Sequence, residues 1–191
     1  MFQKEITREE VDKLELIQYE GPVAVIGTDE EFHREIDRIE SHAILGFDTE
    51  TRPSFKKGRM FPTSLLQLAS ADHVWLIRVS RIGYPERLKE LLSGEAILKV
   101  GSGLNDDLRR MRSDFHFEPA GFLDLQRYVE AFRIGEKGLK KMTAIILGRR
   151  ISKSQQVSNW DAEILTEAQV RYAATDAWIC LEIYNALRNA I

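Results

Sequence analysis

The sequence predicts an α/β fold, a mixed β-sheet with α-helices packed against it, and three observations carry that reading. Short apolar runs of strand length alternate along the chain with segments of helical periodicity. Two of the runs, "SLLQLAS" and "HVWLIRVS", are separated only by a turn, which predicts an antiparallel hairpin. A third, "AILKVGS", feeds directly into the amphipathic stretch "LNDDLRRMRSDF", a strand-to-helix step. With 191 residues the chain is sized for one domain with a continuous core over a central sheet.

In order, Thr7 followed by Glu10 has the form of a helix capping box, "PVAVIGT" reads as a short strand, and a charged amphipathic helix follows from about Asp29 to Ser41. Residues 1–42 are thus a strand/helix extension packed on a domain formed by residues 43–191. That domain opens with the strand "AILGF", passes through an irregular basic loop and enters the hairpin. Pro85 sits where the first turn of a helix through "ERLKELLS" accepts a proline. After the strand-to-helix step, "GFLDLQ" offers a further strand, and helices follow over roughly Asp124 to Phe132, Leu139 to Leu147 and Thr166 to Asn189. The last is opened by the capping box Thr166 to Gln169.

Composition excludes several classes. Hydrophobic content of 43% and charged content of 30% are those of a globular protein, with no repeat or low-complexity tract. The single cysteine, Cys180, rules out an intrachain disulfide framework or a thiolate zinc site, and a reducing cytoplasm is expected. The start "MFQKEITREEVDKLE" is charged where a signal peptide needs an apolar core, and no apolar run approaches the ~18 residues of a membrane span. A net charge of −3 argues against a surface that grips nucleic acid all over, but leaves room for local basic patches.

The chemistry concentrates in "AILGFDTETRP". Side chains alternate along a strand, so Asp48 and Glu50 point the same way. A strand that only filled a core would have no use for two unpaired carboxylates, because their burial is costly unless something positive meets them. The Asp-x-Glu triplet alone is weak, since it recurs at Asp161 to Glu163; its place at the end of a buried-looking strand sets the first one apart.

In the helix "LNDDLRRM", Leu104, Leu108 and Met111 define the inward stripe, and Asp107 falls at its edge. Asp106 lies on nearly the opposite side with Arg109, Arg110 and Ser113, as a solvated residue would. In the last helix "RYAATDAW" stacks Tyr172 one turn before Asp176, a spacing that occurs nowhere else in the chain, although a buried tyrosine bonding an aspartate is also an adequate structural explanation.

Asp-x-Glu on a strand, Asp on a mid-chain helix and Tyr-x-x-x-Asp on a late helix together resemble the DnaQ-like 3′-5′ exonucleases of RNase H-like fold, in the tyrosine subclass called DEDDy. Ribonuclease D and the exonuclease domain of the Werner syndrome protein are members, and the runs "KVGSGLNDD", "SNW", "LTE" and "YAATDA" are similar to theirs. The resemblance covers Ala43 to the C-terminus. It implies an RNase H-like mixed sheet flanked by helices, with Asp48, Glu50, Asp107 and Asp176 as metal-binding acids and Tyr172 as the catalytic tyrosine. The sister subclass carries a histidine five residues before the last aspartate; Arg171 stands there in this chain.

The implied activity is hydrolysis of DNA or RNA from the 3′ end by two divalent cations, Mg²⁺ or Mn²⁺, releasing nucleoside 5′-monophosphates. All-oxygen ligands suit such hard cations, and two of them roughly 4 Å apart suit phosphodiester cleavage. By the resemblance Asp48 bridges both ions, Glu50 and Asp176 help hold the one beside the attacking water, and Asp107 serves the other through water. The implied partner is single-stranded DNA or RNA, or the 3′ end of a duplex, with no membrane. These 191 residues include no helicase or accessory binding segment, which leaves processivity and the choice of sugar open.

Thr49, Arg52, Lys56, Lys57 and Arg59 are the candidate strand contacts, because basic residues interleaved with Phe55 and Phe61 suit a phosphate backbone and stacked bases. A second basic run from Lys137 to Lys153, with Lys140, Lys141, Arg149 and Arg150, offers another wall, while Trp160 reads as a packing residue. "VGSGLNDD" superficially suggests a dinucleotide fingerprint, but Asp106 stands where the third glycine belongs and would repel pyrophosphate. Two other readings keep the fold: a nucleic-acid-binding module that does not cut, and a phosphodiesterase for short oligonucleotides.

Overall fold

The computed structural model describes residues 2–54 and 61–190. After the short helix α1 (Arg8–Asp12), strand β1 (Val23–Ile26) and helix α2 (Asp29–Glu40) lead into β2 (Ile44–Thr51). Strands β3 (Thr63–Ala69) and β4 (Val74–Ile77) precede helices α3 (Val79–Ile82) and α4 (Glu86–Ser93). Then come β5 (Leu98–Gly101), α5 (Leu104–Asp114), β6 (Phe122–Asp124), α6 (Leu125–Tyr128), α7 (Leu139–Leu147) and α8 (Glu167–Arg188).

The strands form a six-stranded sheet in the order β1-β4-β3-β2-β5-β6. The expected hairpin is present, β3 pairing antiparallel with β4, and β2 pairs antiparallel with β3 but parallel with β5, so the sheet is mixed as predicted. β1 joins the sheet at its edge, parallel to β4, and α2 puts Phe32, Ile36 and Ile39 into the main core. Among the described residues no helix is long and apolar enough to cross a membrane.

Period-two alternation divides the strands between two apolar layers. Leu45, Phe47, Leu66, Leu68, Trp75 and Ile77 face one way and pack with residues of α2, α4 and α5. Leu65, Ala69 and Leu76 face the other way, onto Ala173, Ala174 and Ala177 of α8. The expected capping boxes are complete, Thr7 with Glu10 at α1 and Thr166 with Gln169 at α8, and α2 begins at a third, Thr28 with Glu31.

Three boundaries differ from the expectation. β2 does not stop at Phe47 but runs on to Thr51, because β3 supplies a paired partner as far as Thr63, so the acids lie inside the strand. The run "HVWLIRVS" leaves the sheet after Ile77 and turns into α3. The helix expected from Asp124 splits: Asp124 ends β6 and caps α6 by accepting from the Gln126 amide, and a 3₁₀ turn follows at Val129–Phe132.

One close approach positions everything that follows. Gly46 lies on the same face of β2 as Asp48, and a Cβ built there would stand 2.0 Å from the Ala177 carbonyl oxygen of α8. The missing side chain lets α8 lie against the strand. Gly46→Ala should therefore push α8 away, lowering stability by about 1–3 kcal/mol in urea denaturation; an unchanged unfolding midpoint would show that the contact carries no such constraint.

Candidate active site

Asp48 and Glu50 emerge from the α8-facing side of β2, and α8 brings Asp176 over them, so that one carboxylate oxygen from each lies within 4.8 Å of the others. Asp176 is 7% exposed although it is charged in water, so the residues around it and not solvent set its state. Tyr172 lies one helical turn earlier with its hydroxyl directed at Asp176. The group lines a cleft of about 300 Å³ whose walls include Ser102, Gln126, Lys140, Ser152, Lys153 and Gln156.

Asp107 comes from another direction and is not part of the three-carboxylate group. It sits on α5 at the edge of the apolar stripe, while Asp106 is exposed and pairs with Arg109 at 2.9 Å. The Thr49 hydroxyl, between the two β2 acids in sequence, donates to Asp107 Oδ1 at 2.6 Å. Arg110, expected on the solvated side, is instead partly buried, because its guanidinium reaches toward Thr51 at 3.5 Å and its charge steadies Asp107.

The turn that launches α5 is held internally. Gly103 adopts φ 74°, the left-handed region open to glycine, and the amides of Gly103 and Leu104 both donate to the Asp124 carboxylate at 3.0 Å. The anion position at this helix N-terminus is thus filled by the chain's own side chain, a second reason, beside the one read from Asp106, why "VGSGLNDD" is no pyrophosphate site.

Burial and crowding dominate the electrostatics. Desolvation, then the charges of Asp176 and Asp107, raise the Asp48 carboxyl well above the ordinary range. The same causes, with Asp48 added, push Glu50 up to about 10. Asp176 is raised by burial to about 7, with the Tyr172 hydroxyl and the Lys153 ammonium pulling in the opposite direction. Burial also raises Asp107, opposed by the Thr49 hydrogen bond and Arg110, and it raises Tyr172, helped by Asp176 and Glu50. Crowded oxygen donors with like charge and little water are a setting that a divalent cation would relieve.

The candidate strand contacts divide. Thr49 is committed to Asp107, and Arg52 is exposed with its guanidinium 5.3 Å from the Phe61 ring centre. Lys56, Lys57 and Arg59 lie outside the described residues. Of the second basic run, Lys140 and Lys153 line the cleft, Lys140 while also paired with Asp12 at 3.1 Å, whereas Lys141 pairs with Glu136, Arg149 with Glu15, and Arg150 donates to the Leu14 carbonyl. Trp160 is fully buried 6.0 Å from the Tyr172 ring, a packing residue as expected. Ser102, Gln126, Ser152 and Gln156 carried no signal in the sequence, since nothing local marks a polar residue as facing a distant cleft.

Comparison with known proteins agrees with this geometry. The profile of a 3′-5′ exonuclease family matches residues 23–191. The chain is 38% identical over 160 residues to exonuclease 3′-5′ domain-containing protein 2 of Mus musculus, covering 76% of this chain and 24% of that one. It is 32% identical over 158 residues to the bifunctional 3′-5′ exonuclease/ATP-dependent helicase WRN of Mus musculus, covering 80% of this chain and 11% of that one. It therefore spans a quarter or less of the length of these two relatives. Among solved structures the Aedes aegypti Nibbler EXO domain superposes with a TM-score of 0.80 at 26% identity, covering 91% of each chain. In sequence and in its RNase H-like mixed sheet alike, the chain belongs to the 3′-5′ exonuclease family.

Proposed function

We propose that this chain removes nucleotides from the 3′ end of a DNA or RNA strand by the DEDDy form of two-metal chemistry, using Mg²⁺ or Mn²⁺ and releasing nucleoside 5′-monophosphates. The observation that carries the reading is the convergence of Asp48, Glu50 and Asp176 within 4.8 Å beside Tyr172 in a cleft. The donor set fits the metals: all ligand atoms are carboxylate oxygens, from a buried Asp176 and a half-buried Asp48 and Glu50, and crowded together with like charge. When bound, such cations would supply Lewis-acid stabilisation of the charge building on the phosphate and the departing 3′ oxygen, and would make water a better nucleophile.

The chain's own residues supply the rest. Asp48, Glu50 and Asp176 would hold the cations, and Asp107, oriented by Thr49, would complete the set from α5. Tyr172, whose hydroxyl is raised above its ordinary value and stays protonated near neutral pH, orients the attacking water instead of serving as a strong base. Lys153 on the cleft wall offers positive charge to the strand's phosphates, and Lys140 beside it does so while paired with Asp12.

Incubating the protein with 5′-labelled single-stranded DNA and RNA plus Mg²⁺ or Mn²⁺ should give a ladder shortening from the 3′ end. A 3′-blocked strand and Asp48→Asn should both leave the substrate intact; binding without cleavage by the unaltered protein would replace the enzyme with a non-cutting module. Tyr172→Phe should lower turnover by about 100-fold while leaving strand affinity near that of the parent, and an unchanged turnover would remove Tyr172 from the chemistry.

A pH test follows from the crowded acids. Because the folded-state values of Asp176 and Glu50 are raised to about 7 and about 10, the folded protein keeps protons that the unfolded chain has released by about pH 5. The stability this contributes is complete below the unfolded values and is lost as pH rises through the folded ones. Metal-free protein should therefore melt at progressively lower temperature from about pH 5 to 8, and Asp48→Asn should flatten that slope, match or exceed the parent at pH 8, and gain less from Mn²⁺. A variant clearly less stable without metal, and equally responsive to Mn²⁺, would make Asp48 a structural carboxylate.

A further inference from the structure

Gln67, in the middle of β3, is 0% exposed, and among the described residues neither its Oε1 nor its Nε2 has a hydrogen-bond partner. An amide buried with both ends unpaired is destabilising, and an apolar side chain of the same volume would fill the position without that penalty. Its surroundings are otherwise apolar: Leu65 and Ala69 flank it on the same face of β3, Leu76 stands across from it on β4, and Ala173, Ala174 and Ala177 of α8 pack in the same layer. Packing alone gives no reason for an amide there.

The register does. Gln67 is the direct antiparallel partner of Asp48, so both side chains leave the sheet on the α8 side with neighbouring Cβ atoms. Asp48 already accepts one hydrogen bond, from the Thr49 amide at 2.9 Å to Oδ1. A carboxylate that shares its oxygens between cations still needs donors beside it to fix its orientation, and such supporting groups tune metal affinity strongly. The Gln67 Nε2–H₂ group is a buried, uncommitted donor on the residue paired with Asp48 across the sheet.

We infer that Gln67 is a positioning residue of the metal site, its amide donating to the Asp48 carboxylate when that carboxylate holds a cation. The inference rests on the metal reading made under Proposed function. The amide destabilises the metal-free protein and serves the loaded one, so its effects on stability and on metal binding have opposite signs.

Gln67→Met keeps the volume and removes the donor, and Leu76→Met, on the facing strand and the same side, controls for repacking. Metal-free Gln67→Met should melt about 2–4 °C higher than the parent, yet bind Mn²⁺, measured directly by calorimetric titration, about tenfold or more weakly. Leu76→Met should leave Mn²⁺ affinity at the parental value. Parental Mn²⁺ affinity in Gln67→Met, whatever its stability, would overturn the inference, as would an equal loss of affinity in Leu76→Met. If the parent itself takes up no Mn²⁺, the metal reading falls and the inference falls with it.

Discussion

The contact between α8 and β2 is the constraint on which the rest of this structure depends. Two of the three clustered acids leave β2 and the third leaves α8, so their separation is set by how closely a helix can approach a strand. Ordinary side chains act as spacers between a helix and a sheet, and here Gly46 and the small residues Ala173, Ala174 and Ala177 remove them where the helix crosses. The approach is steric in origin and chemical in consequence. It brings an aspartate over two other carboxylates, a juxtaposition that no local interaction would favour.

The protein tolerates that juxtaposition because the energy that sustains it is gathered elsewhere. Buried apolar layers on both faces of the sheet clamp α8 and β2, and the apolar surface they remove from water far exceeds what a few like charges oppose. The second limb of the site is anchored independently: Asp124 takes the two leading amides of the α5 turn, and Thr49 takes Asp107. Asp48, Asp107 and Asp176 are each steadied by a group that is not one of the acids: the Thr49 amide, the Thr49 hydroxyl and the Tyr172 hydroxyl. A site built this way is preorganised, with its strain confined to charge repulsion that a cation removes on arrival.

Much of this was legible in the sequence because it rests on periodicity. Alternation along a strand put Asp48 and Glu50 on one face, the 3.6-residue repeat separated Asp107 from Asp106, and a four-residue spacing stacked Tyr172 on Asp176. The capping boxes at Thr7 and Thr166 marked helix starts because a cap is a contact across three residues. Where the reading missed, a long-range partner had intervened. β2 was extended by pairing with β3, and Arg110 was drawn inward toward Thr51.

What the sequence by itself determined, then, was the set of elements, the face each acid takes on its own element and the family whose pattern they share. Only the tertiary structure decided that Asp176 closes on Asp48 and Glu50 while Asp107 stands apart, that Lys140 and Lys153 join the cleft while Lys140, Arg149 and Arg150 secure the N-terminal segment, and that Gln67 is paired with Asp48 across the sheet. The reason is physical: facing is fixed by backbone geometry over a few residues, whereas distance between elements is fixed by how their side chains pack across the whole chain.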